Sequence, residues 1–200
     1  MKFSAVILAG GKSSRMGCDK ALLELDGQSL LARQIGLVRS IGASEVFISS
    51  RKDADYPAFG CRVLQDRFDD AGPLAGIERA LDAASLPLLL VLAVDMPGMS
   101  ADLLRRVASK CVGGMGAIPR VGGSIEPLAA FFPKSAGKVI AEMFTESRQT
   151  GQMPRVPGAR QFAERCVREN LASFVDLHAS DALLFSNWNT PADILGPCRN

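Results

Sequence analysis

Histidine is almost absent from this 200-residue chain: His178 is the single one. A Ser-His-Asp or Cys-His nucleophile system would have to use it, and no Gly-x-Ser-x-Gly elbow accompanies it. Hydrolysis by a histidine acid–base pair is therefore a poor fit, and His178 reads as an exposed loop or strand-end side chain. Cysteine supplies no framework either. The five thiols (Cys18, Cys61, Cys111, Cys166 and Cys198) are scattered, odd in number and without a Cys-x-x-Cys pair. That pattern argues against a disulfide scaffold or structural zinc site and for a reducing, cytoplasmic location. Charge of one sign is lacking too. With 23 basic and 21 acidic residues the net charge is +2, without the clustered basic excess of a nucleic-acid binder. Long hydrophobic runs are missing: Leu86 to Val94 is too short to span a bilayer, and the N-terminal apolar run turns glycine-rich too early for a signal peptide. Neither a nucleic acid nor a membrane is an expected partner. No internal repeat or low-complexity linker interrupts the chain.

What is present is a compact core composition and a regular alternation. A hydrophobic share of 48% over 200 residues suits one domain, 1–200, with a sizeable interior. Apolar runs alternate with helical patterns, which predicts an α/β fold of three layers around a mainly parallel sheet. Phe3 to Ala9 reads as the first strand. Ser29 caps a helix with Leu31, Ile35 and Val38 on one face and Gly42 as its stop. Glu45 to Ser49 and Arg62 to Gln65 read as short strands. Gly72-Pro73 opens a helix, Leu74 to Ala84, with Ile77, Leu81 and Ala84 at core spacing. Leu88 to Val94 is unbroken apolar, as expected of a strand buried on both faces. Ser100 caps a further helix with Leu103, Leu104 and Val107 inward. Later, Gly116 to Pro119 and Pro127 to Phe132 read as strands and Pro133 to Ser147 as a helix. Arg148 to Val167 has no clear assignment, Ala172 to Leu177 and Ala182 to Phe185 read as strands, and Pro191 starts a last short helix.

Against this background the run from Val6 to Lys20 stands out. A buried strand empties into Gly10-Gly11, followed by Arg15, Gly17 and Lys20. Glycines let the backbone approach a ligand and turn successive N–H groups onto an anion. Arg15 and Lys20 add side-chain charge suited to phosphates. The loop is not a Walker A loop, because Val6 stands where the first glycine belongs. It is not a dinucleotide fingerprint either, because Gly10-Gly11 is followed only by Gly17.

Two carboxylates end strands. Asp95 directly follows the most apolar strand and precedes Met96-Pro97. One carboxylate together with substrate phosphates is a usual way to hold Mg²⁺, so Asp95 is the candidate metal ligand; a turn or capping aspartate is the plainer alternative. Asp66 follows Arg62-Val63-Leu64-Gln65 and is as readily an ordinary turn residue. Gly72-Pro73 starts a helix whose N-terminal dipole favours anions. Asn187-Trp188-Asn189-Thr190-Pro191-Ala192-Asp193 is a capped helix start, with the two asparagines on one side if extended. Arg148, Arg155, Arg160, Arg165 and Arg168 either gather an anion or form a solvated face.

The run from Leu8 to Lys20 resembles the signature of the nucleotidyltransferase superfamily. Its closest form is that of the molybdenum cofactor guanylyltransferase (molybdopterin-guanine dinucleotide biosynthesis protein A) family, with Leu8-Ala9-Gly10-Gly11, Arg15-Met16-Gly17 and Asp19-Lys20. Val94-Asp95-Met96-Pro97, Asp66 followed by Gly72-Pro73-Leu74-Ala75-Gly76, Glu126-Pro127-Leu128 and Asn187-Trp188-Asn189-Thr190-Pro191-Ala192-Asp193 extend the resemblance in motif order. It departs at Ser49-Ser50-Arg51, where the family commonly has a nucleotide-contacting asparagine, and from Arg148 to Asp181, where no motif aligns.

The resemblance implies a Rossmann-like, GT-A-like nucleotidyltransferase fold and transfer of GMP from GTP to the phosphate of molybdopterin, with release of pyrophosphate. It implies nucleotide contacts from Leu8, Ala9, Gly10, Gly11, Lys20, Asp66 and Asp95, and catalytic roles for Arg15, Lys20 and Asp95, with Mg²⁺ on Asp95. Asn187 and Asn189 would contact the acceptor's phosphate or help ligate the metal, and Glu126-Pro127-Leu128 would shape the acceptor pocket. Cofactor-handling proteins and molybdoenzymes are the expected downstream partners. Rival readings are a cytidylyltransferase acting on the same pterin, a sugar- or alcohol-phosphate nucleotidyltransferase, and a nucleotide-binding regulatory protein without turnover.

Overall fold

A computed structural model describes residues 1–10, 19–51, 56, 59–67, 72–149 and 158–188. Its centre is a sheet built on β1 (Ser4–Leu8), every residue of which pairs in parallel with a neighbour on each side. On one flank lies β4 (Glu45–Ser50), followed by β5 (Arg62–Gln65); on the other lies β6 (Leu88–Ala93). Beyond β6 the order continues through β9 (Ala129–Pro133), β7 (Gly116–Val121) and β10 (Ala172–Leu177). Of the seven strands in that order only β9 runs against the rest. The sheet is the mainly parallel one that the alternation predicts.

Strand alternation divides the interior into two layers. Along β6, Leu88, Leu90 and Leu92 face one side and Leu89 and Val91 the other, all buried. The first side is covered by α1 (Leu30–Ser40) through Leu31, Ile35 and Val38, and by α3 (Ala101–Ala108) through Leu103, Leu104 and Val107. The second is covered by α2 (Pro73–Ala83), α4 (Gly137–Gln149) and α5 (Ala159–Arg168). Ser29 and Ser100 cap α1 and α3 by accepting from the N–H groups of Ala32 and Leu103, both at 3.2 Å. Apolar residues on both faces explain why Leu88 to Val94 shows no polar alternation.

Three features differ from expectation. Ala182 to Phe185 is not a strand but the end of a 3-10 helix, Ala179–Phe185. Local capping decides this: the His178 Nδ1 accepts from the Ser180 N–H, and Arg106 of α3 grips Asp181 through two hydrogen bonds of 3.2 and 2.8 Å. The unassigned region contains α5, whose Phe162, Ala163 and Cys166 are wholly buried. Two hairpins complete the set: β2 (Glu24–Leu25) with β3 (Gln28–Ser29), and β7 with β8 (Ser124–Ile125). The first closes on Asp26-Gly27 at φ 54° and 75°, the residue pair that a two-residue hairpin turn favours. Pro191 lies outside the described residues.

Gly116 marks the tightest backbone approach. A Cβ there would run into the carbonyl oxygen of Phe131, with the Phe131 carbonyl carbon and Phe132 Cα both at 3.1 Å. Backbone atoms of a central strand have nowhere to move. Gly116→Ala is expected to cost about 2–3 kcal/mol, the scale of overpacking, and to lower the melting temperature by roughly 4–12 °C for a chain of this size. A calorimetric scan checks it.

Candidate active site

Four strands deliver their carboxyl ends to one edge. The Ala9 N–H donates to the Ser49 carbonyl (2.9 Å), Val94 N–H to the Leu8 carbonyl (3.2 Å), and Asp66 N–H to the Ser50 carbonyl (3.1 Å). These bonds prolong the parallel ladders by one residue past β1, β5 and β6. Leu8, Ala9, Gly10, Asp66 and Asp95 are thereby gathered at the edge where open α/β sheets bind ligands.

Lys20 reaches the same edge from a separate element. It opens a 3-10 turn, Lys20–Leu22, capped by Asp19, whose Oδ1 accepts from the Ala21 N–H (3.0 Å). The Lys20 Nζ stands 3.4 Å from Asp95 Oδ2, with the two side chains 18% and 22% exposed. A pair this close to solvent contributes only about 0–1 kcal/mol to stability. Its meaning is positional: a cation and a carboxylate face one another at the carboxyl end of β6. Gly11 and Arg15 lie outside the described residues.

Asp66 stands at the other end of this edge, three strands from Asp95. At about 4.8 Å per strand their backbones are about 14 Å apart, so the two carboxylates serve separate contacts rather than one ion. Gly10 lies between. A Cβ on Gly10 would sit 3.5 Å from Asp66 Oδ2 and 3.6 Å from the Arg51 backbone nitrogen. Asp66 Oδ1 accepts from Ser49 Oγ (3.1 Å). Ser49 and Arg51 thus occupy the surroundings of the glycine at the position where the sequence departs from the family's asparagine.

The helix α2 begins beside this cluster. Gly72 takes φ 59° and ψ −153°, a backbone geometry open essentially to glycine, and Pro73 occupies the first turn. Four residues on, Gly76 presses against Ser49: a Cβ there would collide with Ser49 Oγ and lie 2.9 Å from its Cβ and 3.0 Å from Leu8 Cδ2. The glycine lets the start of α2 lie flat on the ends of β1 and β4.

Two further segments close on Asp95. The Trp188 N–H donates to the Asp95 carbonyl (2.9 Å), which brings Asn187 to the site; Asn189 lies outside the described residues. The Leu128 carbonyl accepts from Ala93 N–H (2.8 Å), so Glu126-Pro127-Leu128 flanks the end of β6. Burial raises the Glu126 carboxyl above its ordinary range. Two arginines of the unaligned region, Arg160 and Arg165, are held in surface ion pairs. Arg165 is engaged by Glu142 (2.6 Å), Glu146 (2.9 Å) and Glu169 (2.8 Å), and Arg160 by Glu164 (3.1 Å). Arg155 lies outside the described residues. His178 is a helix cap on the surface, as its polar setting predicts.

Sequence reasoning passed over Gln34 and Tyr56. Gln34, 2% exposed on α1, donates from Nε2 to the Met96 carbonyl (2.7 Å) and fixes the turn after Asp95. The signal was a lone amide among the apolar positions of a helix face.

Residues 5–164 match the MobA-like NTP transferase domain. The chain belongs to that family. Among relatives of this MobA-like chain, a protein of Opitutus terrae named probable molybdenum cofactor guanylyltransferase is 35% identical over 193 residues, covering 95% of this chain and 92% of the relative. Two solved structures share the fold. One is the molybdopterin-guanine dinucleotide biosynthesis protein A of Archaeoglobus fulgidus, with TM-score 0.67, 22% identity and coverage of 97% and 95%. The other is the 2-C-methyl-D-erythritol 4-phosphate cytidylyltransferase of Thermus thermophilus, with TM-score 0.69, 24% identity and coverage of 98% and 96%. The fold is common to guanylyl and cytidylyl enzymes and does not separate them. Among the described residues no helix is long and apolar enough to cross a membrane.

Burial, partly offset by the Ser49 hydroxyl, raises the Asp66 carboxyl above its ordinary range, and Glu78 adds to the shift. A raised acid holds its proton in the folded state after the unfolded chain has lost it. Stability therefore falls as pH rises from the ordinary carboxylate value near 4 through the raised one, and the ionised side chain is a standing cost above that window. Asp66→Asn keeps the acceptor for Ser49. It is expected to raise the melting temperature by a few degrees at pH 7 and to leave it unchanged at pH 3.5, as thermal melts at the two pH values will read.

Proposed function

We propose that this MobA-like chain transfers GMP from GTP to the phosphate of molybdopterin, forming molybdopterin guanine dinucleotide and pyrophosphate. The observation that carries the reading is the Lys20–Asp95 pair, 3.4 Å apart, set beside Gly10 at the carboxyl edge of β1 and β6. The name of the Opitutus terrae relative supports guanylyl transfer rather than another nucleotidyl transfer.

In this reading the main chain of Leu8, Ala9, Gly10 and Gly11 lies along the nucleotide. Asp66 accepts hydrogen bonds from the end of the nucleotide remote from the reacting phosphate. Arg15 and Lys20 offset the charge of the β and γ phosphates. Asn187, Asn189 and the Glu126-Pro127-Leu128 segment border the acceptor.

Asp95 fits a magnesium ligand. It is one partly exposed carboxylate at a strand end, and the described residues hold no cluster of three metal-binding side chains. Asp95 would hold Mg²⁺, and the ion would supply positive charge to offset that of the triphosphate. Asp95 alone would then hold the ion from the protein side. Lys20, released from Asp95, turns its ammonium to the phosphates.

The chemistry asks little else of the protein. An oxygen of the pterin phosphate attacks the α phosphorus, the bond to the bridging oxygen breaks, and its electron pair leaves with pyrophosphate. The nucleophile is already an anion, so no proton need be removed and the lack of a catalytic histidine is no handicap. In-line alignment and charge neutralisation are sufficient. A labile product would pass to cofactor-handling proteins or to the molybdoenzyme itself.

Pyrophosphate release from GTP, CTP, ATP and UTP in the presence of purified molybdopterin tests the reading. GTP should be used strongly in preference to the others; a preference for CTP rejects guanylyl transfer. Asp95→Ala should lower turnover at least ~10²-fold, the scale of losing one key electrostatic group. Turnover equal to wild type would remove Asp95 from the reaction.

A further inference from the structure

The cation that faces Asp95 is not held by its own backbone alone. Lys20 follows Asp19, and Asp19 spends both carboxylate oxygens on structure. Oδ1 caps the 3-10 turn through the Ala21 N–H, and Oδ2 accepts from the hydroxyl of Tyr56 at 2.6 Å. Tyr56 comes from the long connection between β4 and β5, 37 residues away in sequence. Its ring is 3% exposed and packs edge-on against Phe59, with centroids 6.4 Å apart. A ring so enclosed delivers its hydroxyl to one place.

We propose that Tyr56 is a positioning residue that sets Lys20 against the reacting phosphates by clamping Asp19. The hydroxyl is a charge-assisted donor to a carboxylate, the stronger class of hydrogen bond. It is a hydrogen bond by which the β4–β5 connection, leading to Asp66, reaches the residue before Lys20. Burial and the neighbouring Asp19 carboxylate both favour the neutral phenol, so the proton that makes the bond stays on Tyr56 throughout the working pH range. The turn itself is otherwise attached through Ala21, which is wholly buried, and through the Leu30 N–H on the Leu23 carbonyl (2.8 Å). Ala21 anchors the residue after Lys20, and the Leu23 carbonyl anchors the end of the turn. The Tyr56 clamp fixes the residue before Lys20.

The inference rests on the proposed nucleotidyl transfer, in which Lys20 meets phosphate, and it makes a demand that simple packing does not. If Tyr56 acts through Lys20, removing its hydroxyl should matter only while Lys20 is present. The proteins to compare are wild type, Tyr56→Phe, Lys20→Ala and the double variant. The readouts are pyrophosphate release with GTP and molybdopterin, calorimetric binding of inorganic triphosphate, and melting temperature. Tyr56→Phe keeps the ring and is expected to lower kcat, and to weaken triphosphate binding, by about 5–10-fold, the scale of the net contribution of one hydrogen bond. In the Lys20→Ala background the same change should do almost nothing. Asp19→Asn retains an acceptor for Ala21 and a neutral hydrogen-bonding partner for Tyr56, and should lie between wild type and Asp19→Ala.

Losses that multiply in the double variant, or a Tyr56→Phe protein with unaltered kcat and triphosphate binding, would overturn the inference. So would an Asp19→Asn protein as impaired as Asp19→Ala. Failure of the guanylyl reading looks different: the wild type would release no pyrophosphate from GTP, while the triphosphate titrations would still report on the clamp.

Discussion

The parallel register of β1 between β4 and β6 is the constraint on which the site depends. It ends three strands at one level, and the bonds from Ala9 to Ser49 and from Val94 to Leu8 carry the chain one residue beyond the regular ladder before it turns away. A slip of one residue would turn every β6 side chain to the opposite layer, placing Leu89 where Leu90 packs, and would carry Asp95 away from Lys20. The large apolar residues on both faces of β6 make such a slip costly. The core therefore specifies the register, and the register specifies where the carboxylate emerges.

Close packing around that edge has a price in freedom of sequence. Gly76 must be small because Ser49 and Leu8 occupy the space a Cβ would take, and Ser49 in turn holds Asp66. Asp66 is kept in partial burial that disfavours its own charge. Such an arrangement sacrifices some stability at neutral pH for a fixed acceptor beside Gly10, the usual relation between a binding site and the fold that bears it. Asp95 is faced instead by the Lys20 ammonium, a setting suited to a different task.

Much of this was legible in the sequence, and the residues show why. Strands β1 and β6 are continuous apolar runs that end at glycine and aspartate, and helices α1 and α3 carry serine caps before a clear inward face. Those signals are local. The helix α5 escaped notice because arginine and glutamate pairs at i, i+4 mask a narrow buried stripe of Phe162, Ala163 and Cys166. The stretch Ala182 to Phe185 has the apolar content of a strand, but Arg106, 75 residues away from Asp181, decides its form. The short hairpin at Asp26-Gly27 carried a readable turn signal in too few flanking residues to count as strands. Of the site, the residues at the sheet edge announced themselves through strand ends and glycines. Gln34 and Tyr56 did not, because their roles rest on hydrogen bonds across 62 and 37 residues.

The central claim is that Lys20 and Asp95 serve a single triphosphate. A crystal structure with a non-hydrolysable GTP analogue and Mn²⁺ in place of Mg²⁺ tests it most directly. It should show the anomalous peak within about 2.2 Å of an Asp95 carboxylate oxygen, a phosphate oxygen of the same nucleotide on that ion, and the Lys20 ammonium within hydrogen-bonding reach of its β or γ phosphate. A nucleotide seated elsewhere, or a metal on that nucleotide with no bond to Asp95, would contradict it.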